Sequence, residues 1–335
     1  MIFTAEGQIQ RLLPYAVLIC GLLLFRPCSF GSSTYKRIFL VIGQTQASPA
    51  VENASLEKAR RSIDAGRPDD ALPIIETYLK QQPNSAEAHF LKGLALFRQT
   101  KPSDSLAAFT EGAKYHDPSA FDLKIVALDY VLLGDYTSAD HWLTRSLERD
   151  PKDVQAWYYF GRTKYNENRF DEAVSALRKC LELDPRNVKA KDNLGLAYQG
   201  LGRTAEAMDE FQTAIDWQQK SLDKNAGPFL NLGILLLEKN QVDKAMKYLL
   251  NAAAIAPNDS RTHEQLGKAY SRVDQFENAQ AELEKAVVLS PDSSSLHFML
   301  GQVYRKRGML EKAQAELDKG AALKDAEHKK PFSLE

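Results

Sequence analysis

Small and hydrophobic residues recur along most of this chain at a regular spacing. Leu194, Ala197 and Leu201 fall on one helical face, and Gly195 lies inside the same helix. Gly195 belongs to a column of small residues spaced by 34 residues, with one spacing of 38: Ala59, Gly93, Ala127, Gly161, Gly195, Gly233, Gly267 and Gly301. A second small column follows twelve residues later: Ala71, Ser105, Ala139, Ala173, Ala207, Ala245, Ala279 and Ala313. The pattern predicts a repeated pair of packed helices.

Turn-forming residues separate the two helices of each unit. A third column consists of Gly66, Thr100, Gly134, Asn168, Gly202, Asn240, Asp274 and Gly308. Glycine, asparagine and aspartate tolerate the left-handed backbone that ends a helix, and only Thr100 is of another type. Prolines mark the ends of most units, where a helix must stop: Pro83, Pro118, Pro151, Pro185, Pro257 and Pro291. Each unit is therefore predicted to be a helix, a tight turn, a second helix and a proline-containing loop.

These columns match the 34-residue pattern of the tetratricopeptide repeat, and residues 52–327 resemble that family. Its signature positions are filled in one unit by Trp157, Gly161, Ala173, Leu177 and Pro185. We count eight units: 52–85, 86–119, 120–153, 154–187, 188–225, 226–259, 260–293 and 294–327. The resemblance implies an all-α fold, a right-handed α-solenoid of eight helix-turn-helix repeats. Residues 1–51 would form an N-terminal leader and residues 328–335 a C-terminal tail.

Gly195 is expected to let the two helices of its unit approach closely, which offsets the cost of about 1 kcal/mol that glycine carries inside a helix. Unit 188–225 is four residues longer than its neighbours. Because four residues make about one helical turn, we expect its second helix to be extended. Trp217 and Leu222 would then cover the next helix or a partner, and local packing is the favoured interpretation.

The first fifty residues differ from the repeats. Residues 12–25, LLPYAVLICGLLLF, form an uncharged run of 14, shorter than the roughly 20 residues that span a membrane. The run suits the core of an export signal cleaved after Gly31 or Ala47, which predicts a periplasmic, cell-envelope or secreted protein of bacterial type. Against export, more positive charge follows the run than precedes it. An uncleaved anchor, with membrane association through residues 12–25, and a cytosolic protein are the alternatives.

Charge and cysteine content argue against several classes of protein. Lysine and arginine number 43 against 44 aspartate and glutamate, a net charge of -1, so we expect no nucleic-acid partner. Cys20 and Cys28 lie in the leader, which leaves Cys180 alone in the repeats, in a column of small residues that predicts a buried filler. The sequence has no phosphate-binding loop, nucleophile elbow or paired-carboxylate motif. We expect no catalytic residues and no cofactor.

Three histidines share one column with a tryptophan. His89, His263 and His297 stand at the position of Trp157 in their units. Neighbouring repeats would bring His263 and His297 together, which allows a metal site, but no acidic residue lies at a spacing that completes one. Packing between helices is the preferred interpretation, so we expect no metal.

The resemblance implies a binding groove on the concave face, which the first helix of each unit lines in this family. Candidate residues for binding a peptide or partner protein are Tyr158, Arg162, Tyr165, Lys189, Asn193, Asn231, Gln265 and Lys268. The triplet NLG repeats Asn193 at Asn231, with Gln265 as their counterpart, and family members use such amides to bind the backbone of an extended peptide. Aromatic residues and arginine dominate interface energies, which favours Tyr158, Arg162 and Tyr165. The alternative is that these are ordinary solvated residues.

Together these features predict a protein–protein interaction scaffold and not an enzyme. No three consecutive units supply the lysine, asparagine and arginine set with which chaperone-binding members clamp a C-terminal carboxylate. Two alternatives stay open: a regulatory or substrate-recruiting subunit of an enzyme complex, and a self-assembling structural module, that is, an oligomer. Charged residues on the last helix favour a self-capped end over self-assembly: Glu311, Lys312, Glu316, Asp318 and Lys319.

Overall fold

The computed structural model describes residues 49–222 and 224–329, and these residues form sixteen α-helices in eight consecutive pairs, with no strand. The first helices of the pairs, the A helices, are α1 (Pro49–Asp64), α3 (Ala86–Arg98), α5 (Ala120–Leu133), α7 (Val154–Asn166), α9 (Val188–Gly200), α11 (Gly227–Glu238), α13 (Ser260–Arg272) and α15 (Ser294–Lys306). The second helices, the B helices, are α2 (Pro68–Gln81), α4 (Pro102–Gly112), α6 (Tyr136–Arg149), α8 (Phe170–Leu183), α10 (Thr204–Trp217), α12 (Val242–Ile255), α14 (Phe276–Leu289) and α16 (Leu310–Lys329). The predicted all-α solenoid is confirmed.

Capping side chains start five of the A helices, α3, α5, α7, α9 and α13. The Asp153 side chain accepts a hydrogen bond from the backbone N–H of Ala156 at 3.0 Å, and Asn187 accepts one from Ala190 at 2.9 Å. A short polar side chain at this position satisfies a backbone donor that the first helical turn leaves unpaired. The loop that ends one repeat therefore also fixes the first residue of the next A helix.

Close packing within each pair explains the column of small residues. A Cβ atom added to Gly195 would lie 2.5 Å from the ring of Phe211, and one added to Gly161 would lie 2.6 Å from Leu177. Phe211 and Leu177 are fully buried. Burying one such side chain contributes about 1.5–3 kcal/mol, which exceeds the cost of about 1 kcal/mol for glycine in a helix.

A left-handed residue joins the two helices in all eight described pairs. The backbone angle φ is +72° at Gly202 and +59° at Asn168, and Thr100 takes the same conformation with φ +60°. A β-branched side chain is disfavoured in this region. Thr100, the exception in residue type, is therefore held in the turn geometry by the packing of α3 against α4.

The A helices form the inner layer of the repeats. Successive A helices contact each other from α1 through α13, and each B helix from α2 to α14 packs against its own A helix and the next one. A side chain of an A helix that points away from the B helices therefore lies on the surface of this inner layer. We call this surface the inner face. The resemblance implied this arrangement.

The expected extension of the second helix in unit 188–225 is wrong. Helix α10 has 14 residues, the same length as α8 and α12, and the extra residues lie in the connection 218–226. Buried Gln218 closes this connection, because its side chain donates to the carbonyl of Asn225 at 3.0 Å and accepts from the Asn225 N–H at 2.6 Å. Trp217 is half-buried, but Leu222 is fully exposed and covers no helix.

The apolar run 12–25 lies outside the described residues. Within residues 49–222 and 224–329, no helix combines the length and the apolar character that crossing a membrane requires.

Candidate functional site

Four consecutive A helices form a pocket on the inner face. It has a volume of about 300 Å³. Its lining residues are Tyr165 from α7, Leu196, Gln199 and Gly200 from α9, Asn231, Ile234 and Glu238 from α11, and Arg261 from α13. The structure thus brings two of the predicted binding residues, Tyr165 and Asn231, into one cavity. Apolar side chains from three repeats and polar groups from the same helices face one space, as in many ligand pockets.

Next to this pocket, α7 and α9 share a connected polar surface. The Asn193 side chain donates to the Lys189 carbonyl at 2.8 Å and reaches the Tyr158 hydroxyl at 3.4 Å. The Arg162 guanidinium lies 5.8 Å from the centre of the Tyr158 ring, within cation–π range. Burial raises the pKa of Tyr158 above its ordinary value, so its hydroxyl stays protonated. Four of the predicted residues therefore lie together: Tyr158, Arg162, Lys189 and Asn193.

The two asparagines of the NLG triplets differ in their contacts. Asn231 is 5% exposed and its side chain donates to Asp192 at 2.9 Å, whereas Asn193 is partly exposed. Burial raises the pKa of Asp192 to about 6, although the Asn231 hydrogen bond and the charge of Arg261 act in the opposite direction. Asn231 therefore holds a buried carboxyl group in the wall of the groove, and Asn193 is the amide with a solvent-facing position.

The two predicted residues on α13 lie beyond the pocket lining. Gln265 is half-buried, and the Lys268 ammonium forms an ion pair with Glu264 at 2.5 Å one helical turn away. Arg261, at the start of the same helix, is exposed and lines the pocket. Arg261 was not among the predicted binding residues, because an arginine at the start of a helix gives no signal of its own in the sequence.

A second pocket lies on the inner side of the first three repeats. It has a volume of about 480 Å³ and contains four large apolar residues: Phe90, Leu91, Leu94 and Phe121. Phe121 is 45% exposed, and Leu132, at the other end of α5, is 48% exposed. This surface was not predictable from the sequence, because hydrophobic residues in a repeat are first assigned to the core.

The histidine column has a structural role. His263 Nε2 lies 2.8 Å from the Pro257 carbonyl, and Trp157 Nε1 donates to the Pro151 carbonyl at 2.9 Å. His89 and His297 contact Pro83 and Pro291 in the same way. In each case a ring N–H six residues after the proline anchors the loop between repeats. Within the described residues, no three histidine, cysteine, aspartate or glutamate side chains are placed to hold a metal ion.

His263 and His297 also face a carboxylate. Nδ1 lies 2.6 Å from Glu282 in the first case and 2.5 Å from Glu316 in the second. Both glutamates follow their histidine by nineteen residues, a spacing that the sequence analysis did not use. Cys180 is fully buried, and burial raises the pKa of its thiol to about 11. The interpretation of Cys180 as a buried filler agrees with its position.

One buried acid was missed entirely. Asp129 has no exposed surface, and its Oδ2 atom lies 2.6 Å from the Ser105 hydroxyl, while its Oδ1 atom has no hydrogen-bond partner. Burial raises the pKa of Asp129 to about 7. Ser105 also lies 2.9 Å from the Gly93 carbonyl, and one hydroxyl proton serves only one acceptor. If Ser105 donates to that carbonyl, Asp129 must be protonated to complete the second bond.

Two family models match the chain. The model described as "Cilia and flagella-associated protein 70 middle TPR-like domain" matches residues 123–324. The model described as "Tetratricopeptide repeat" matches residues 56–122.

Curated relatives match parts of the repeat region. The PEX5-related protein of Homo sapiens is 31% identical over 87 residues, which is 26% of this chain and 14% of that protein. The peroxisomal targeting signal receptor of Komagataella phaffii is 24% identical over 166 residues, 48% of this chain and 28% of that protein. The chain therefore spans less than a third of the length of these two relatives. Both are eukaryotic and give no support to a bacterial cell-envelope protein.

Solved structures share the fold. The APC/C hetero-tetramer Cut9–Hcn1 aligns with a TM-score of 0.59 and 20% identity, over 82% of this chain and 54% of that chain. A tetratricopeptide repeat protein from Parabacteroides merdae aligns with a TM-score of 0.62 and 17% identity, over 76% and 99% of the two chains. At these identities the likeness shows the fold alone. Because the two family models together cover residues 56–324, the chain belongs to the tetratricopeptide repeat family.

Proposed function

We propose that this protein is an interaction scaffold that binds an extended segment of a partner protein along the inner face of its A helices. The observation that carries the proposal is the pocket to which α7, α9, α11 and α13 all contribute. Proteins of this family are protein-interaction scaffolds, and the relative from Komagataella phaffii is named a receptor for a targeting signal. The pocket offers both apolar and polar contacts to one ligand.

An extended segment fits the spacing of the inner face. Packed helices lie about 8–10 Å apart, and an extended chain advances about 3.3 Å per residue, so each A helix meets about every third residue. A segment of about nine residues would then reach from α7 to α13. Along this path, Tyr165 supplies an aromatic surface, and Asn193 and Gln199 supply amides for backbone hydrogen bonds.

A site-specific photocrosslinker tests the location of binding. Gln199 is replaced by p-benzoylphenylalanine, and the control places the same group at exposed Lys247 on the outer helix α12. After irradiation in an extract of the native cells, we expect adducts with a partner protein from position 199 that decrease when Tyr165→Ala is added. Equal adducts from both positions would contradict binding on the inner face.

We propose in addition that the protein acts outside the cytosol or at a membrane. The support is the apolar run 12–25 in the sequence. Leu22→Arg with Leu23→Arg interrupts this run and should leave the protein in the cytosolic fraction, whereas the unchanged chain is exported or sediments with membranes. The same cytosolic distribution for both chains would refute this location, without affecting the binding proposal.

A further inference from the structure

We infer that the partner segment has two parts, an apolar part that lies on α3 and α5 and an acidic part that lies on α7 to α13. The two-part ligand presupposes the inner-face binding proposed above and adds the chemistry of the ligand. It follows from a change in the character of the inner face between the third and the fourth repeat.

The first part of the inner face contains an apolar surface, and the Arg60 and Lys124 cations beside it are paired with carboxylates. Phe90, Leu94 and Phe121 line the pocket of about 480 Å³, and 45% of Phe121 is open to solvent. Arg60 pairs with Glu87 at 3.2 Å, and buried Lys124 pairs with Asp153 at 2.6 Å. Covering the exposed surface of Phe121 with an apolar ligand is favourable, and the one lining carboxylate without an ion pair, Asp122, already accepts hydrogen bonds from Ser119. This surface therefore favours aliphatic or aromatic side chains.

The second part of the inner face carries exposed cations that form no ion pair, although Arg261 lies near enough to buried Asp192 to act on its pKa. Arg162 on α7, Lys189 on α9 and Arg261 on α13 are exposed. None of the three takes part in any ion pair found among the described residues. The three residues belong to three different repeats, so their charges are spread along the inner face and do not form one cluster. An extended ligand with several carboxylates is complementary to this distribution of positive charge.

The acids of this region do not cancel that charge. Burial raises the pKa of Asp192 to about 6, and its carboxyl group is held by Asn231. Glu264 is already paired with Lys268 at 2.5 Å, which leaves Glu238 as the one exposed carboxylate in the pocket lining. With a pKa of about 6, Asp192 is mostly ionised at neutral pH, so the three exposed cations face two carboxylates, Asp192 and Glu238, and the surface keeps a net positive charge. Complementary charge selects an acidic segment and disfavours a basic one.

The two surfaces are close enough for one short segment. Helix α5 contacts α7 directly, so the apolar and the cationic surfaces meet at neighbouring A helices. At about three ligand residues per helix, the apolar and acidic parts are separated by only a few residues. The ligand class is thus a continuous extended segment with adjacent apolar and acidic blocks.

Fluorescence anisotropy with labelled synthetic peptides tests this class. The peptides share one length and one framework and carry a Leu/Phe block next to a Glu, a Gln or a Lys block, in both orders along the chain. We expect one order of the Leu/Phe–Glu peptide to bind at least about tenfold more tightly than its Gln counterpart, and the Lys peptide to bind most weakly. Increasing the ionic strength from about 0.05 to about 0.5 M should weaken the Glu peptide most, because salt screens exposed charges.

Matched variants locate the two parts. Arg162→Gln, Lys189→Gln and Arg261→Gln, combined, should weaken the Glu peptide about tenfold and leave the Gln peptide within about twofold. The control combines Lys220→Gln, Lys244→Gln and Lys247→Gln, which remove the same charge from exposed positions away from the inner face. Phe121→Ser with Leu132→Ser should weaken every peptide that carries the Leu/Phe block, whereas Leu250→Ser with Val288→Ser, exposed on B helices, should not.

The outcomes separate this inference from the proposed function. If the Gln or Lys peptide binds as well as the Glu peptide and Tyr165→Ala weakens both, the groove binds peptides but the two-part ligand is wrong. If no peptide binds and crosslinks from position 199 are also absent, the proposed function fails. If single-stranded oligonucleotides bind more tightly than the Glu peptide, the cationic surface binds nucleic acid, and the inference is overturned.

Discussion

Asp129 gives the sharpest energetic test of the fold, because a carboxyl group with no exposed surface lies where three other repeats have alanine. These alanines are Ala95, Ala197 and Ala269, and the repeat that follows Asp129 has Thr163 at this position. Burial raises the pKa of Asp129 from 3.8 to about 7, and its Oδ1 atom has no partner. A difference of about 3 units corresponds to about 4 kcal/mol of stability, at about 1.4 kcal/mol per unit. Asp129→Ala removes this cost.

The sign of the effect follows from the raised pKa. Below about pH 4 both the folded and the unfolded chain keep the proton on Asp129, and the cost is absent. Between about pH 4 and pH 7 only the unfolded chain releases it, so stability falls as the pH rises, and above about pH 7 the loss is complete. From pH 5 to pH 8 the unchanged protein therefore loses about 3 kcal/mol through Asp129, and Asp129→Ala loses none of it.

The net gain is smaller than the electrostatic cost. Replacing the carboxyl group with a methyl group removes contacts in a buried site, which costs about 1–2 kcal/mol. We expect Asp129→Ala to stabilise α4 and α5 by about 3 kcal/mol at pH 8 and to be nearly neutral at pH 5. Because repeat arrays open in parts, local hydrogen exchange of α4 and α5 is the suitable measurement, with melting curves as support.

The control is Asp209→Ala, which removes an exposed aspartate from α10. It should leave the pH dependence of exchange in α4 and α5 unchanged. If Asp129→Ala and the unchanged protein lose the same stability between pH 5 and pH 8, Asp129 is ionised in the folded state at low cost, and the burial argument is refuted.

Three further substitutions test the packing and the turns. Gly195→Leu forces a side chain into the space of the Phe211 ring, and we expect a lower melting temperature and a loss of several kcal/mol. Thr100→Gly relieves a left-handed β-branched residue and should raise the free energy of unfolding by up to about 1 kcal/mol, with a slightly higher melting temperature. His263→Phe keeps a ring but removes the hydrogen bonds to Pro257 and Glu282, which should cost about 2 kcal/mol and speed exchange in α13 and α14.

Each of these three predictions would be contradicted by a specific result. An unchanged melting curve for Gly195→Leu would mean that the helices of this pair separate without cost. A destabilised Thr100→Gly would show that the threonine side chain contributes more than its backbone strain costs. Unchanged hydrogen exchange in His263→Phe would show that the histidine ring stabilises these helices by packing and not through its hydrogen bonds.

The repeated fold was predictable because its contacts are local in sequence. A small residue in an A helix meets a large residue sixteen positions later in its own B helix, as Gly195 meets Phe211. This contact recurs in each unit, so the sequence shows it as a column with a period. The left-handed turn is a single-residue property and was also visible, except at Thr100, where packing imposes the conformation on an unfavourable residue type.

The binding surface was predictable only in outline. The positions that face inward follow from the helical period, and Tyr165 and Asn231 do line one pocket. What each side chain does there depends on a partner in another repeat. Asn231 contacts Asp192, 39 residues away, and Lys124 contacts Asp153, 29 residues away. No period in the sequence distinguishes a paired cation such as Lys124 from an unpaired one such as Arg162.

By itself, the sequence determined the architecture of this protein: helix pairs, their turns and the inner layer of A helices. Only the tertiary structure decided that the four extra residues of the fifth unit form a loop closed by Gln218, that Asp129 is buried, and where the inner face changes from apolar to cationic. The physical reason is the range of the contacts. Packing within a helix pair repeats along the chain and leaves a pattern, whereas pairing between stacked repeats depends on individual side chains that meet once.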